Sequence, residues 1–338
     1  MCKYHRCHIV PPYILEELAK RGSHGCKRTL NDSHRILQKR STALNQILIE
    51  DFFVENGDRL IYDCKNQFQQ RISLVLQEGG SKIEDEVANA AYATSGFVRE
   101  YYRDTFGLNS VNGEGMDLVS NVHFGLDYNN AYWDGDEMTY GDGDNKDFKD
   151  FASAIDVVAH ELTHGVTQFL ANLEYYGQSG ALNEHFSDVF GTIIKQQYLN
   201  QTIADADWLI GDLVVTEHFP GVAIRSMSAP GTANDYDRQP DHMKNYYTGT
   251  ADNQGVHINS GIPNKAFYLS CQEIGIEDCA LIWFQTLKSL WRTANFKDML
   301  VILKREGQKL VEEKRVGMGA VAGIEKSFRA VGIEVQVV

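Results

Sequence analysis

The segment His160-Glu161-Leu162-Thr163-His164 places two histidines four residues apart and a glutamate directly after the first. On an α-helix, residues i and i+4 lie on the same face, so both imidazoles can reach one metal ion. The carboxylate of Glu161 lies beside that face, where it can take a proton from metal-bound water. A zinc peptidase requires this arrangement, although two histidines in an ordinary core helix are an alternative interpretation.

The residues around this segment are spaced like one face of an amphipathic helix. Ser153, followed three residues later by Asp156, predicts a capping box at the helix start. Apolar side chains recur at intervals of three and four residues, and these are Ile155, Val158, Ala159, Leu162, Val166 and Phe169. We therefore expect both histidines to lie on a helix that Ser153 caps.

A second helix is predicted to supply the third ligand that catalytic zinc usually takes from the protein. In Asn183-Glu184-His185-Phe186-Ser187-Asp188, the carboxylates Glu184 and Asp188 are four residues apart and share a helical face. One of them could bind the metal while the other orients a ligating histidine. An acidic, solvent-facing surface is the alternative interpretation.

Longer segments extend the pattern, in the same order along the chain. They are Tyr128-Asn129-Asn130-Ala131-Tyr132-Trp133, Arg225-Ser226-Met227-Ser228 and Asp252-Asn253-Gln254-Gly255-Val256-His257-Ile258-Asn259-Ser260-Gly261. Together with the two helical segments, they resemble the thermolysin family of zinc metallopeptidases from about residue 61 to the C-terminus. The resemblance implies an α+β, two-domain fold, with a β-rich N-terminal domain that carries a central zinc helix and a mainly helical C-terminal domain.

The same resemblance implies a metal site with one catalytic zinc ion. His160, His164 and Glu184 would hold the ion. Asp188 would hold the ring of His160, and Asn183 would support His164.

The resemblance also implies the catalytic groups of a neutral endopeptidase. Glu161 would be the general base and then the proton shuttle. His257, paired with Asp252, and Tyr175 would face the tetrahedral intermediate, where preorganised donors can supply several kcal/mol. A carboxylate beside His257 favours the protonated, donor form of its ring.

Substrate contacts follow from the resemblance as well. Asn130, Ala131 and Trp133 would lie on or beside an edge strand, to which an extended polypeptide could add through main-chain hydrogen bonds. Apolar residues would form the main specificity pocket, with Arg225 near its base, and these residues are Phe148, Phe151, Val157, Val214 and Ile224. We expect cleavage on the amino side of bulky hydrophobic residues. Core packing is the alternative interpretation of the apolar set.

Calcium binding is where the sequence departs from the family pattern. Asp156, Asp207 and Asp212 match carboxylate positions of the family's double calcium site, but Lys195 stands where a shared glutamate is expected. Because a lysine could put its ammonium group where an ion would lie, we expect the double site to be lost, with one weak calcium site as the alternative. Val222 replaces an aspartate at another calcium loop. The loop Gly141-Asp142-Gly143-Asp144 lacks a bidentate glutamate, and we interpret it as a polar turn.

The first 50 residues differ in charge from the rest. They contain nine Lys/Arg and four Asp/Glu, a net charge of +5, whereas the remainder has a net charge of −19. A basic leader and an acidic body predict docking of one on the other, with a solvated basic tail as the alternative. The segment Val10-Pro11-Pro12-Tyr13 should be extended and stiff, with a helix following to about Lys20.

In the setting of this family, the leader resembles the short propeptide of protealysin-like members. We expect residues 1–50 to be an inhibitory propeptide removed between about Ala43 and Phe53, residues 51–170 the N-terminal catalytic domain and residues 171–338 the helical C-terminal domain. The leader lacks the apolar region of a secretory signal, so an extracellular location is implied by the resemblance alone. The cysteines do not predict a complete disulfide framework, and a metal site formed by Cys2, His5, Cys7 and His8 has little support.

The composition excludes two classes of partner. No apolar run approaches the ~18 residues that a membrane span requires, and a formal charge of −14 argues against nucleic acid. We expect a monomer that acts on polypeptides. Two rival functions are a catalytically silent peptide-binding relative, which should have lost a group such as Glu161, and a metal amidase acting on cell-wall peptides.

Overall fold

The computed structural model describes residues 7–42 and 57–335, and of residues 34–42 it describes the backbone alone. The predicted propeptide boundary between Ala43 and Phe53 lies outside these ranges, as do Cys2 and His5. The chain forms two compact units. The first reaches Val166 and also contains Leu213–Pro220, and the second comprises Thr167–Asp212 and the chain from Gly221 onward.

The first unit is built on a six-stranded mixed sheet with the order β1-β5-β6-β4-β2-β3. Its elements are β1 (Cys7–His8), α1 (Pro12–Lys20), α2 (His24–Thr42), β2 (Arg59–Asp63), β3 (Ser73–Gln77), α3 (Glu86–Phe106), β4 (Leu118–Val122), β5 (Ala131–Trp133), β6 (Met138–Tyr140) and α4 (Ile155–Leu170). Strand β2 runs parallel to β4, and β4 runs parallel to β6, whereas β5 pairs antiparallel with both β6 and β1. The sheet therefore contains a strand from the leader.

Helix α3 shows how local sequence sets the bounds of an element. The carboxylate of Asp85 accepts hydrogen bonds from the backbone N–H groups of Val87 and Ala88, at 3.0 and 3.1 Å, and so caps the helix. Gly107 ends the helix with φ 70°, a conformation that glycine adopts without steric cost.

The leader packs on the body through several polar contacts. The backbone N–H of Val10 donates to Asn130 Oδ1 at 3.0 Å, and Asn130 Nδ2 donates to the Val10 carbonyl at 3.1 Å. On α2, Arg28 pairs with Asp127, and Thr29 accepts a hydrogen bond from the backbone N–H of Asn129. The prediction of a docked leader is thus met by the described leader residues. Pro11 is extended (φ −60°, ψ 144°), but α1 begins at Pro12, so the prediction of an extended segment through Tyr13 was wrong, because proline is well tolerated in the first turn of a helix.

The predicted cap of the zinc helix was wrong. Helix α4 begins at Ile155, so Ser153 lies in the preceding turn and donates its N–H to Asp150 instead of capping. Strand β5 is the outermost strand that the body contributes to the sheet, and leader strand β1 pairs along it, with Cys7 opposite Trp133 and His8 opposite Tyr132. A two-residue strand carries too little periodicity to be seen in a sequence.

The second unit is mainly helical, as predicted. Its elements are α5 (Gly177–Tyr198), β7 (Leu209–Ile210), β8 (Arg225–Ser226), a 3-10 turn (Met243–Asn245), α6 (Ala251–Asn259), α7 (Gly261–Ile274), α8 (Ile276–Ser289), α9 (Phe296–Glu312) and α10 (Ala320–Ala330). Helix α5 is buried over nearly its whole length, with α6, α7 and α8 packed against it. Among the described helices, none is both long and apolar enough to cross a membrane.

Candidate active site

Helix α4 carries the two histidines on one buried face of the first unit. Their Nε2 atoms lie 3.0 Å apart, and the rings are nearly perpendicular. Two imidazoles bound to one tetrahedral zinc ion would have these atoms about 3.3 Å apart, so the pair fits a shared ion. On the same helix, the Thr163 hydroxyl lies 2.7 Å from the Tyr102 hydroxyl of α3, which fixes the rotation of the helix.

The carboxylate of Glu161 is fully buried and is held by strand β5. Its Oε2 atom accepts a hydrogen bond from the backbone N–H of Trp133 at 2.9 Å. Burial, with a smaller contribution from the negative charge of Glu161, raises the pKa of nearby Tyr140. A strand backbone therefore sets the orientation of the predicted base.

The second unit brings together the other predicted catalytic residues. The Tyr175 hydroxyl donates to a carboxylate oxygen of Glu184 and lies 3.1 Å from His257 Nε2. Asp252 lies 2.6 Å from the other ring nitrogen of His257 and also accepts its backbone N–H. Burial works to lower the pKa of His257, but the charges of Glu184 and Asp252 prevail and raise it to about 9. This ring is therefore a hydrogen-bond donor at neutral pH.

An unusual backbone conformation places Asp252 against His257. Residues 252–255 all have positive φ, between 49° and 77°, so the chain makes a left-handed turn inside α6. Three of these residues are not glycine, and each such conformation costs on the order of 1 kcal/mol or more. At the fourth, a Cβ added to Gly255 would lie 2.6 Å from the Tyr247 ring. Strain concentrated beside His257 is typical of a functional site.

Asp188 is held by a polar network that the sequence analysis missed. Arg225 donates to both of its oxygens, at 3.0 and 2.8 Å, and Asn264 Nδ2 donates to it at 2.9 Å. Asn264 in turn lies 2.8 Å from Nδ1 of His185, whose Nε2 accepts a hydrogen bond from the Trp283 indole. These bonds define His185 as neutral with its proton on Nδ1, and burial lowers its pKa to about 4.

The sequence offered one weak signal for this network. His185 follows Glu184 directly, so on a helix it faces the core and not the metal side. A buried histidine needs partners for both ring nitrogens, but nothing in the spacing identifies Asn264 or Trp283 as those partners. Asn183, predicted to support His164, donates from Nδ2 to the Leu173 carbonyl at 3.3 Å.

The predicted pocket residues are all buried, within the unit that each belongs to. In the first unit, the rings of Phe148 and Phe151 lie 5.8 Å apart, and Lys149 donates its N–H to the Val214 carbonyl. In the second unit, Ile224 donates its N–H to Ile210, and the Arg225 side chain is bound to Asp188. Val157 is buried on α4. Burial fits a pocket wall and core packing equally well.

The calcium residues of the second unit surround a lysine. The Lys195 ammonium lies 2.6 Å from Asp212, 3.1 Å from Asp207 and 3.2 Å from the Leu209 carbonyl, and its side chain is 2% exposed. It thus binds carboxylates that match calcium ligands, as the sequence predicted. Asp156, in the first unit, accepts the backbone N–H of Val157.

Two groups of described residues could each hold a metal ion. One consists of His160, His164 and Glu184, and the other of Cys26, Asp144 and Asp147. Within the second group, which belongs to the first unit, one ligand atom from every residue lies within 4.8 Å of the others. The first group has the nitrogen and carboxylate ligands that zinc prefers in catalytic sites.

Comparison with family models decides the classification. The model of the thermolysin metallopeptidase catalytic domain matches residues 24–168, and the model of the α-helical domain matches residues 171–333. The chain belongs to the thermolysin metallopeptidase family. As a member of this family, it is a zinc metalloendopeptidase with a sheet-containing catalytic domain and a helical C-terminal domain.

Individual relatives agree with this assignment. The chain is 39% identical to an extracellular metalloprotease of Pectobacterium carotovorum subsp. carotovorum, covering 98% of this chain and 97% of the relative. It is 36% identical to protease PrtS of a Photorhabdus strain, over 97% and 92%. The solved precursor of protealysin from Serratia proteamaculans matches with a TM-score of 0.85 and 36% identity, covering 97% of this chain and all of that one.

Proposed function

We propose that this thermolysin-family chain is the zymogen of a neutral zinc endopeptidase that cleaves on the amino side of bulky hydrophobic residues. Its leader would inhibit it until residues 1 to about 50 are removed. The observation that carries the proposal is the pairing of leader strand β1 with β5, which contains two of the three residues expected to bind substrate. The full-length similarity to a protealysin precursor also supports a leader of this kind.

The inhibition follows from the geometry of β5. An extended peptide can bind this strand through backbone hydrogen bonds only where its N–H and C=O groups are available. The leader already binds β5 and the residue before it. Ile9 donates its N–H to the Ala131 carbonyl, at 3.4 Å, and the Val10 backbone forms hydrogen bonds with both polar atoms of the Asn130 side chain. A substrate would have to displace these contacts, so the leader competes directly for the proposed peptide site.

His160, His164 and Glu184 would hold the catalytic zinc, with Asp188 and Asn183 as supporting groups. The two imidazole Nε2 atoms point toward one position, and the donor set matches that of catalytic zinc sites. When bound there, zinc polarises the substrate carbonyl and lowers the pKa of water toward ~7.

The remaining steps belong to side chains of this chain. Glu161, held by the Trp133 N–H, takes a proton from the attacking water and passes it to the leaving amine. His257 and Tyr175 donate hydrogen bonds to the carbonyl oxygen as negative charge develops on it, with Asp252 keeping the His257 ring protonated. The buried apolar residues at the pocket positions favour a bulky hydrophobic side chain after the cleaved bond.

We infer further that the enzyme acts outside the cell as a monomer. The inference of location is supported by the Pectobacterium relative, which is named as extracellular. Calcium has little part in the proposed function. The Lys195 ammonium forms ion pairs with two of the carboxylates that match ligands of the family's double calcium site.

A cleavage map tests the proposal. The purified chain, before and after removal of the leader, is incubated with a denatured protein, and the products are identified by mass spectrometry. Cuts before Phe, Leu or Ile should appear after leader removal and be abolished by a zinc chelator or by Glu161→Ala, whereas the exposed control Glu114→Ala retains them. Cuts mainly before charged residues would refute the specificity, and full activity of the uncleaved chain would refute the zymogen.

A further inference from the structure

A second group of metal-binding side chains joins the leader to the body of the first unit. Cys26 lies on leader helix α2 and is fully buried, and Asp144 and Asp147 lie in the loop after β6. We call these three residues the Cys26 cluster. The sulfur atom and one carboxylate oxygen from each aspartate lie within 4.8 Å of one another.

Asp144 is held firmly in place. Its Oδ1 atom accepts three backbone N–H groups, from Lys146, Asp147 and Phe148, at 2.8–3.2 Å. Its Oδ2 atom accepts hydrogen bonds from Asn129 Nδ2, at 2.9 Å, and from the hydroxyl of leader residue Ser23, at 3.3 Å. These bonds fix the carboxylate as an anion next to Cys26.

Two buried oxygens beside Asp144 lack a donor. Asp147 is 4% exposed, and its Oδ2 atom has no hydrogen-bond partner among residues 7–33 and 57–335. The same holds for Oδ1 of the fully buried Asn129, whose Nδ2 lies 3.3 Å from the Cys26 sulfur. In the described part of the chain, no lysine or arginine forms an ion pair with either aspartate of the cluster. A buried carboxylate oxygen without a donor or a cation is costly.

We propose that the Cys26 cluster is a second divalent transition-metal site, of the zinc type, that fastens the leader to the body. Zinc binds thiolate sulfur at about 2.3 Å and carboxylate oxygen at about 2.0–2.2 Å, and Cys26, Asp144 and Asp147 supply this donor set. A water molecule would complete four-coordination. The bound ion would offset most of the negative charge of the thiolate and the two carboxylates, and it would satisfy the oxygen of Asp147.

One proton leaves the Cys26 cluster when the metal ion binds. Burial raises the pKa of Cys26 to about 12, and the charges of Asp147 and Asp144 add to the rise, so the metal-free thiol keeps its proton at neutral pH. Binding of M²⁺ releases this proton to solvent and leaves a thiolate bonded to the metal. Because Cys26 belongs to the leader, removing the leader would destroy the site and free the ion. The release of the ion rests on the proposed zymogen, whereas the existence of the metal site does not.

Cobalt is the probe that tests the site, because thiolate-bound Co²⁺ gives a near-ultraviolet charge-transfer band that histidine and carboxylate ligands do not give. The full-length Glu161→Ala chain, which lacks the proposed base, is freed of metal with a chelator and titrated with Co²⁺. We expect two ions per chain and a thiolate band. Cys26→Ser and Asp147→Asn should each lose the band and one of the two ions, whereas Cys64→Ser, at another buried thiol, retains both.

Three results would overturn the proposal. They are one ion per chain with no band, a band that persists in Cys26→Ser, and a band that Asp147→Asn leaves unchanged. Circular dichroism of each variant establishes that it is folded, and Cys26→Ala serves as a second variant if the serine disturbs α2. The thiolate band of this catalytically silent chain is independent of whether the peptidase proposal holds, and only the second ion of the count belongs to the proposed catalytic site.

Discussion

The backbone N–H of Trp133 donates to Glu161 at 2.9 Å, while Trp133 itself lies opposite Cys7 of the leader in the β5–β1 pairing. One short strand therefore orients the proposed base and carries the leader. Because a substrate is proposed to bind the same strand, inhibition and catalysis depend on the same backbone groups. Weakening the leader contacts should consequently release activity without altering the base.

Val10→Pro should make the uncleaved chain partly active. Proline has no N–H, so the hydrogen bond from residue 10 to Asn130 Oδ1 is lost in a buried setting, at a cost of about 1–3 kcal/mol to leader binding. We expect activity of the uncleaved chain on a short peptide to rise about tenfold. Initial rates are measured before gels show any leader removal, with the exposed leader residue changed in Glu16→Ala as control. If the uncleaved Val10→Pro chain is as inactive as the uncleaved Glu16→Ala chain, the proposed inhibition by the leader is contradicted.

Lys195→Ala should destabilise the second unit and create a response to calcium. The substitution leaves Asp207 and Asp212 without their shared cation, and removal of one partner of a buried ion pair costs about 3 kcal/mol, less here because Asp207 is part exposed. A calcium ion could then bind the two carboxylates and restore part of the loss.

Thermal unfolding with and without calcium measures this effect. The parent chain should show little change in Tm on adding calcium, and Lys195→Ala should show a clear rise. Lys326→Ala, which removes an exposed pair with Glu273, is the matched control and should cost less than about 1 kcal/mol. A large calcium-induced rise in the parent chain would show that its calcium sites are intact.

The pH dependence of stability should reveal a histidine held between two carboxylates. His123 lies 2.9 Å from both Asp142 and Asp85, and the hydrogen bond to Asp142, opposed by burial and supported by Asp85, raises its pKa from 6.5 to about 9. A raised pKa means that the protonated ring stabilises the fold in full below about pH 6.5. That contribution is lost as the pH rises through about 9.

Comparison of His123→Gln with the parent chain isolates this contribution. Urea unfolding of the two chains, both in the Glu161→Ala background, should differ by on the order of 1 kcal/mol near pH 6 and converge near pH 10. The exposed His218→Gln variant should follow the parent at every pH. A difference that grows as the pH rises would have the wrong sign for this ion pair.

The parts of the fold that were predictable rest on local sequence. The zinc helix and the shared helical face of Glu184 and Asp188 follow from spacings of four residues. The contacts between Val10 and Asn130 span 120 residues and depend on a two-residue strand, which no local pattern reveals. The left-handed turn at residues 252–255 was equally hidden, because residues other than glycine adopt positive φ singly and not in a run of three.

Asn264→Leu should weaken zinc binding without touching a proposed ligand. The amide of Asn264 joins Asp188 to the His185–Trp283 pair, so its loss removes one donor from a buried carboxylate and one acceptor from His185. Changes in groups that orient metal ligands typically lower affinity 10–100-fold, and we expect a loss in that range. Competition with a zinc-binding dye measures the affinity directly.

Ser270→Ala provides the control for this prediction, because its hydroxyl is also buried on α7 but bonds only to the backbone of its own helix, at Ala266. Both variants should lose stability, since each loses a buried hydrogen bond worth about 1 kcal/mol. Only Asn264→Leu should lose zinc affinity, because Asn264, unlike Ser270, is bonded to Asp188. If both variants bind zinc like the parent chain, the network positions α5 in the core and does not orient the metal site.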